Sequence, residues 1–300
     1  MFQPNGIIPA MITPFHSNQE LNESALRLLV SKLLAAGAHG LFCLGTNGEF
    51  FSMTFEEKIR VAEVIVDEVK GRVPVYVGIG HISTVETVQL ARRMEDIGAD
   101  TLSVITPFFL KFTQKELFEH FRRIAESTSL PILLYNIPAR TGNHLQPETV
   151  AELAAVDNIV GIKDSSGSFD TILQYIELSG PDFSVLAGTD SLILPTLMAG
   201  GQGAIAATAN VFPEAVVSIY ENWKKGNYDQ AESSQRVLRD LRNAFQLSTL
   251  PSVLKEALNI LGFPAGPPRL PVNPLSGKER SELIYVMENY LSKGLLRAEC

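Results

Sequence analysis

Cysteine is nearly absent from this sequence, and that narrows the compartment. Two occur in 300 residues, Cys43 inside an apolar run and Cys300 at the last position. They make no disulfide framework, which fits a reducing compartment. Positive charge is also short: 25 Lys and Arg stand against 33 Asp and Glu, a formal net charge of −8. A nucleic-acid partner or an anionic membrane therefore has no electrostatic support. No apolar run reaches the roughly 18 residues of a membrane span. The start, Met1-Phe2-Gln3-Pro4-Asn5-Gly6, lacks the basic region and apolar core of a signal peptide. These readings place the protein in the cytoplasm. The histidines at 16, 39, 81, 120 and 144 show no metal-ligand spacing, and His-Glu-x-x-His is missing. Gly78-Ile79-Gly80 lacks the third glycine of a dinucleotide fingerprint and reads as a tight turn. Gly200-Gly201-Gln202-Gly203 resembles a phosphate cradle but precedes an apolar run instead of following one.

What is present is a repeated unit: apolar run, polar or glycine turn, amphipathic segment. The runs are 7–12, 41–44, 75–79, 101–105, 132–135, 159–163, 184–187 and 204–206. The first amphipathic segment, 22–36, carries Leu26, Leu29, Val30 and Leu33 at helical spacing. Thr54 with Glu57, Ser83 with Glu86 and Thr113 with Glu116 are spaced as capping boxes. Pro147 suits the first turn of a helix, a further helix is expected near 192–199, and Pro213 opens one through Lys224. Nearly continuous apolar runs, each followed by a helix, read as parallel strands. Eight such units over about 220 residues predict a closed (β/α)₈ TIM barrel. The alternative, an open doubly wound sheet, wants glycines after its first strand, and here Ile12-Thr13-Pro14-Phe15 follows. Residues 1–225 are read as the barrel and 226–300 as a helical C-terminal extension. Two faces carry that extension, Leu254, Ala257, Leu258, Leu261 and then Leu283, Val286, Met287, Tyr290, separated by residues 264–274.

In a (β/α)₈ barrel the chemistry sits where the strands end. The sixth run ends on Lys163, followed by Asp164-Ser165-Ser166-Gly167. A lysine at the mouth of an apolar strand is costly to keep charged, and a neutral lysine amine is a nucleophile that forms Schiff bases with ketones. Lys163 is the candidate nucleophile towards a 2-keto acid. Pairing with Asp164 at the surface is the plain alternative. Tyr135 ends the fifth run and is the candidate proton shuttle; alone it also reads as a core aromatic. Thr46 and Asn47 lie in Gly45-Thr46-Asn47-Gly48-Glu49, where exposed N–H groups and side chains hold a carboxylate. Arg140 offers a fork for a second carboxylate or a polar substrate tail; alone it also reads as solvated. Thr106 to Phe109, Asn136, Thr141 and Gly188-Thr189-Asp190 share the same face, and residues 109–112, His144, Thr189 and Asp190 are candidates for specificity.

Three stretches together resemble the dihydrodipicolinate synthase / N-acetylneuraminate lyase superfamily of class I Schiff-base lyases. They are Gly45-Thr46-Asn47-Gly48-Glu49, Tyr135-Asn136-Ile137-Pro138-Ala139-Arg140-Thr141-Gly142 and Gly161-Ile162-Lys163-Asp164. The resemblance covers nearly the whole chain. It implies that Lys163 forms an imine with pyruvate, that Tyr135 relays protons, and that Thr46 and Asn47 hold the pyruvyl carboxylate. It also implies that Gly188 and Ile205 line the pocket, that no cofactor is needed, and that the protein is a homotetramer built as a dimer of dimers. Arg140 matches the synthases, where that arginine binds the aldehyde's carboxylate. Asn47 stands where they have threonine, and Phe109 where they have a tyrosine from the adjacent subunit. The stretch 40–52, ending Phe50-Phe51-Ser52, looks more like the 2-keto-3-deoxy sugar-acid aldolases and dehydratases, and the Ser-Thr-Gly-Glu turn of the sialic acid lyases is missing. The expected activity is a pyruvate aldolase for a 2-keto-3-deoxy sugar acid or related 4-hydroxy-2-oxo acid. Dihydrodipicolinate synthase (pyruvate plus aspartate semialdehyde) comes second, then a dehydratase or a weakly catalytic keto-acid-binding barrel.

Overall fold

The computed structural model describes residues 2–296; Cys300 lies outside them. Eight parallel strands run in order around one sheet: β1 (Gly6–Pro9), β2 (Leu41–Cys43), β3 (Val75–Gly78), β4 (Thr101–Ile105), β5 (Ile132–Asn136), β6 (Ile159–Asp164), β7 (Ser184–Ala187) and β8 (Gly203–Ala206). β1 pairs with β8, and the seam to β2 closes through the parallel bridge Ala10–Phe42, where Met11 N–H donates to Phe42 O at 2.9 Å. The sheet is the expected (β/α)₈ barrel. Closure at β8 demands glycine, because a Cβ on Gly203 would overlap Gly6 O and stand 2.6 Å from Gly6 N.

The helices follow the capping signals with one exception. They are α1 (Glu23–Ala35), α2 (Phe55–Val69), α3 (Thr84–Ile97), α4 (Gln114–Ala125), α5 (Pro138–Thr141), α6 (Pro147–Leu153), α7 (Phe169–Ser179), α8 (Ile193–Met198) and α9 (Pro213–Lys224). Thr54–Glu57 and Thr113–Glu116 form reciprocal capping boxes, and Pro147 and Pro213 open α6 and α9. Ser83 and Glu86 do not form theirs. His81 intervenes: its Nδ1 accepts from Ser83 N–H at 3.1 Å and its Nε2 pairs with Glu86 at 2.7 Å, drawing the carboxylate off the cap.

Among the described residues the tail holds four helices where two faces were expected: α10 (Tyr228–Val237), α11 (Arg239–Ala244), α12 (Leu250–Ile260) and α13 (Gly277–Ser292). α10 packs on α9, and α13 packs on α11 and α12. Tyr290 pins this arrangement, donating to Val237 O at 2.7 Å and accepting from Leu241 N–H at 3.0 Å. Among the described residues no helix is long and apolar enough to cross a membrane.

Strand alternation divides the core. One set of side chains packs outward under the helices; the other, Ile8, Phe42, Tyr76, Leu133, Leu186 and Ile205, fills the lumen. The lumen is therefore an apolar floor on which the strand ends build. Gly78 is not at a tight turn: a Cβ there would overlap Leu44 O, so close approach of β2 requires the glycine.

Between α3 and α4, His120 is 7% exposed; its Nδ1 shares a 2.9 Å hydrogen bond with Thr84 Oγ1 and its Nε2 is buried without a partner. Burial pushes this imidazole down to about 4. The unfolded chain thus binds a proton that the fold rejects between pH 6.5 and 4, and stability falls as pH drops through that window. Denaturant midpoints from pH 7 to 4 should show an acid loss that His120→Phe reduces by about 3 kcal/mol.

Candidate active site

A cavity of about 210 Å³ opens at the C-terminal ends of the strands. The β5–β6 register sets Tyr135 beside Lys163, both facing inward above Leu133 and Gly161. Lys163 is 4% exposed, and its side chain has no hydrogen bond or ion pair among the described residues. Its Nζ lies 4.0 Å from the Tyr135 ring centroid and 4.9 Å from that of Phe42. The plain reading of a Lys163–Asp164 pair does not hold. Asp164 points the other way, fully buried, accepting from Asn136 Nδ2 at 2.7 Å and Ser166 Oγ at 2.6 Å. Burial raises its carboxyl above the usual carboxylate range against those bonds.

Tyr135 OH lies 3.3 Å from Thr46 Oγ1, a hydrogen bond either can donate. Thr46 and Asn47 sit on a loop flanked by two left-handed residues, Leu44 (φ 55°) and Glu49 (φ 58°). Thr13 Oγ1 donates to Gly48 O at 2.8 Å, which holds the loop from β1. Asn47 is 6% exposed; its Nδ2 reaches Ala10 O at 3.4 Å, and its Oδ1 is buried with no partner. Gly188 and Ile205 line the same cavity. A Cβ on Gly188 would overlap Ser165 Oγ and lie 2.8 Å from Asp164 O, so Gly188→Ala should displace the Lys163 strand end and slow turnover at least about 100-fold. Comparing kcat and the unfolding midpoint separates this from loss of fold.

Arg140, on the short α5, is exposed and borders the cavity, and its side chain makes no hydrogen bond or ion pair among the described residues. Thr189 and Asp190 also border it, yet the Asp190 carboxylate is occupied: Ala207 N–H donates to Oδ1 at 3.1 Å and Thr208 N–H to Oδ2 at 2.6 Å. Asp190 is thus a tie between the loops after β7 and β8. Arg140 and Arg242 give the rim of the cavity a positive character opposite to the chain's net charge.

Several expected members stand outside the cavity. Thr106 and Thr141 bond to each other at 2.9 Å. His144 Nδ1 lies 3.2 Å from Asn136 Nδ2. Phe109 is 88% exposed at φ 83° and does not line the cavity. Glu49 is fully buried against the C-terminal segment. Sequence reasoning missed Asn143, whose Nδ2 donates to Pro107 O at 2.9 Å and Leu110 O at 2.7 Å, joining the loops after β4 and β5. It also missed Ser165 and three residues of the extension, Arg242, Phe245 and Leu250, which close one side of the cavity. Only Ser165, two residues after Lys163, carried a local signal. Among the described residues no group of three or more His, Cys, Asp or Glu is placed to hold a metal.

Comparison with known proteins gives this geometry a family. The model of the dihydrodipicolinate synthetase family matches residues 3–289. The 4-hydroxy-tetrahydrodipicolinate synthase of Methanopyrus kandleri is 45% identical over 273 residues, 90% of this chain and 91% of that one. The dihydrodipicolinate synthase structure from Thermotoga maritima superposes with a TM-score of 0.93 at 35% identity, covering 98% of this chain and 100% of the other. YagE, a prophage protein of the dihydrodipicolinic acid synthase family from E. coli K12, solved in complex with pyruvate, superposes with a TM-score of 0.92 at 35% identity over 95% and 98%. With a cavity lysine on β6 of a (β/α)₈ barrel and a family match over nearly the whole chain, the protein belongs to the dihydrodipicolinate synthetase family, carbon–carbon lyases that act as pyruvate-dependent class I aldolases through a lysine–pyruvate Schiff base, without a metal or other cofactor.

Proposed function

We propose that the protein joins pyruvate to an aldehyde that carries its own carboxylate, with 4-hydroxy-tetrahydrodipicolinate synthesis from aspartate semialdehyde as the leading reading. The observation that carries it is Arg140, a guanidinium without a protein partner on the rim of the Lys163 cavity. The names of the relatives point the same way. Lys163 attacks the keto carbon of pyruvate, and loss of water gives the iminium. The Thr46–Tyr135 pair carries the protons, first to the leaving hydroxyl and then from the pyruvyl methyl, which leaves an enamine. The pyruvyl carboxylate sits on the Thr46–Asn47 loop, above the apolar floor that Ile205 completes beside Gly188. The enamine carbon attacks the aldehyde, whose carboxylate Arg140 holds by a forked contact. The aldehyde oxygen takes a proton from Tyr135. The amine of aspartate semialdehyde then displaces Lys163 from the imine carbon and closes the ring.

A second reading, cleavage of a 2-keto-3-deoxy sugar acid, is favoured by Asn47. Its orphaned Oδ1 is an acceptor suited to a substrate hydroxyl, which a threonine methyl would not replace. The homotetramer stays part of the proposal, supported by Phe109, Leu110 and Val85, large apolar side chains at 88%, 59% and 66% exposure. A cytoplasmic home suits the buried free thiol of Cys43.

Borohydride reduction in the presence of pyruvate, followed by peptide mapping, should place a pyruvyl adduct on Lys163; an unmodified Lys163 in folded protein would sink the imine reading. Pyruvate with aspartate semialdehyde should then outperform cleavage of 2-keto-3-deoxygluconate in kcat/KM. The reverse order, with pyruvate released, makes the protein a sugar-acid aldolase, and water loss without pyruvate makes it a dehydratase.

A further inference from the structure

The side of the cavity built by the C-terminal extension carries a cation that the reaction above does not use. Arg242, on α11, borders the Lys163 cavity and is also shared with an adjoining groove of about 110 Å³ lined by Ser191, Arg239 and Asn243. Arg242 is half-buried, its guanidinium carbon 5.5 Å from the Phe245 ring centroid. Its Nε is buried with no hydrogen-bond partner, and among the described residues the side chain has no ion pair. Elsewhere the chain treats buried arginine differently: Arg269 is forked onto Glu57 at 2.6 and 2.7 Å. A desolvated N–H donor left unpaired costs free energy that a bound anion would recover. Among the described residues no carboxylate pairs with it. Asp190, the acid bordering the cavity, has both oxygens on backbone N–H groups. Arg239, three residues back on the same helix, adds a second positive charge to the groove.

We infer that Arg242 is a specificity residue: together with Arg140 on the same cavity it binds the anionic group, carboxylate or phosphate, of the aldehyde half, so that the enzyme selects aldehydes whose tail is charged. The inference deepens the proposed function and rests on its assignment of the aldehyde to this cavity. It assigns the extension a share in substrate choice. It also predicts that a neutral aldehyde such as glyceraldehyde is a poor partner, because it leaves both Arg140 and Arg242 without a partner in a confined site.

The test has two arms. Wild type, Arg242→Gln and Arg242→Lys are assayed with pyruvate and three aldehydes: succinic semialdehyde (carboxylate), glyceraldehyde 3-phosphate (phosphate) and glyceraldehyde (neutral). The ratio of kcat/KM for the charged aldehydes over the neutral one should fall about 10- to 100-fold in Arg242→Gln, chiefly through KM, and recover in part in Arg242→Lys. The aldehyde with the larger fall identifies carboxylate or phosphate as the natural tail. A merely structural role lowers all three rates together and leaves the ratio where it was, which overturns the inference. The second arm needs no imine: calorimetric titration with glutarate and with inorganic phosphate should show at least tenfold weaker binding to Arg242→Gln. Binding that is equal in both proteins overturns the inference. Arg242-dependent binding beside an absent pyruvate adduct keeps the anion site and removes the imine reading instead.

Discussion

Lys163→Met should abolish the borohydride-trapped pyruvate adduct and lower kcat by about 10⁴-fold or more, while the unfolding midpoint stays level or rises. The rate loss follows from the chemistry. Without the amine there is no iminium to take up the electron pair, and general acid–base groups alone contribute only about 10²- to 10⁴-fold. The stability expectation follows from the packing. Lys163 lies at 4% exposure against the rings of Tyr135 and Phe42 and over the apolar lumen, with no carboxylate on its ammonium. A thioether of similar length keeps those contacts and removes the cost of a desolvated cation. Function and stability thus oppose each other at one side chain, as happens where a group is kept for its reactivity. Tyr135→Phe tests the proposed relay apart from the proposed nucleophile. It removes the hydroxyl 3.3 Å from Thr46 Oγ1 while retaining the ring against Lys163. Stopped-flow adduct formation should slow about 10²-fold or more, yet the trapped adduct still accumulates with time. An adduct in Lys163→Met, or none at any time in Tyr135→Phe, would assign the roles wrongly.

How much of this was legible beforehand depends on the range of the interaction that fixes each residue. The strands were legible because parallel strands buried on both faces read as short continuous apolar runs, and their ends fell within two or three residues of the expected places. Tyr135 and Lys163 were legible because each ends such a run, and the register between neighbouring strands then makes them adjacent. Capping boxes are local, and two of three formed; the third was lost to a histidine two residues before the cap. Gly78 was misread as a turn glycine because its reason, the Leu44 carbonyl, lies more than thirty residues away in sequence. Asp190 was a candidate for specificity, and only the return of the chain through Ala207 and Thr208 reveals that its oxygens are taken. Arg242 had no local signal at all, since nothing in an amphipathic segment shows which side chain reaches over a barrel mouth.

Glu49 is the strongest case of a motif residue whose purpose lies outside the motif, and it carries the second large effect. Its carboxylate is fully buried, 2.5 Å from Lys255 Nζ and accepting from Arg269 N–H at 2.7 Å. Lys255 donates to Pro267 O at 3.0 Å and stands 4.1 Å from the Phe15 ring centroid, with Arg269 at 4.2 Å on the same ring. Arg269 in turn reaches Glu57 of the α2 capping box. One network therefore ties the loop bearing Thr46 and Asn47, the start of α2 and the segment after α12. Burial pulls the Lys255 ammonium down to about 8 against the attraction of Glu49. Because the unfolded lysine titrates near 10.5, the unfolded chain binds more protons between pH 8 and 10.5. The charged lysine is thus a net cost to the fold at neutral pH, relieved as pH rises through that window. The pair persists because losing one member is worse than keeping both. Glu49→Leu should destabilise by about 3–5 kcal/mol, since it strands the Lys255 ammonium in a dry site, and Lys255→Met by less, since the Glu49 carboxylate keeps the Arg269 N–H. The double variant Glu49→Leu with Lys255→Met leaves no charge to strand and should recover to within about 1 kcal/mol of wild type. Urea midpoints across the four proteins measure the coupling, and additive losses would show that the pair is not the unit of stability. Stability alone does not restore the site. The double variant lacks the acceptor that joins residue 49 to Arg269 N–H, so the Thr46–Asn47 loop is no longer fixed from the C-terminal side. Its adduct formation with pyruvate should remain about tenfold or more below wild type even where its midpoint is normal. A double variant both stable and fully active would mean that the buried charges serve neither the fold nor the loop.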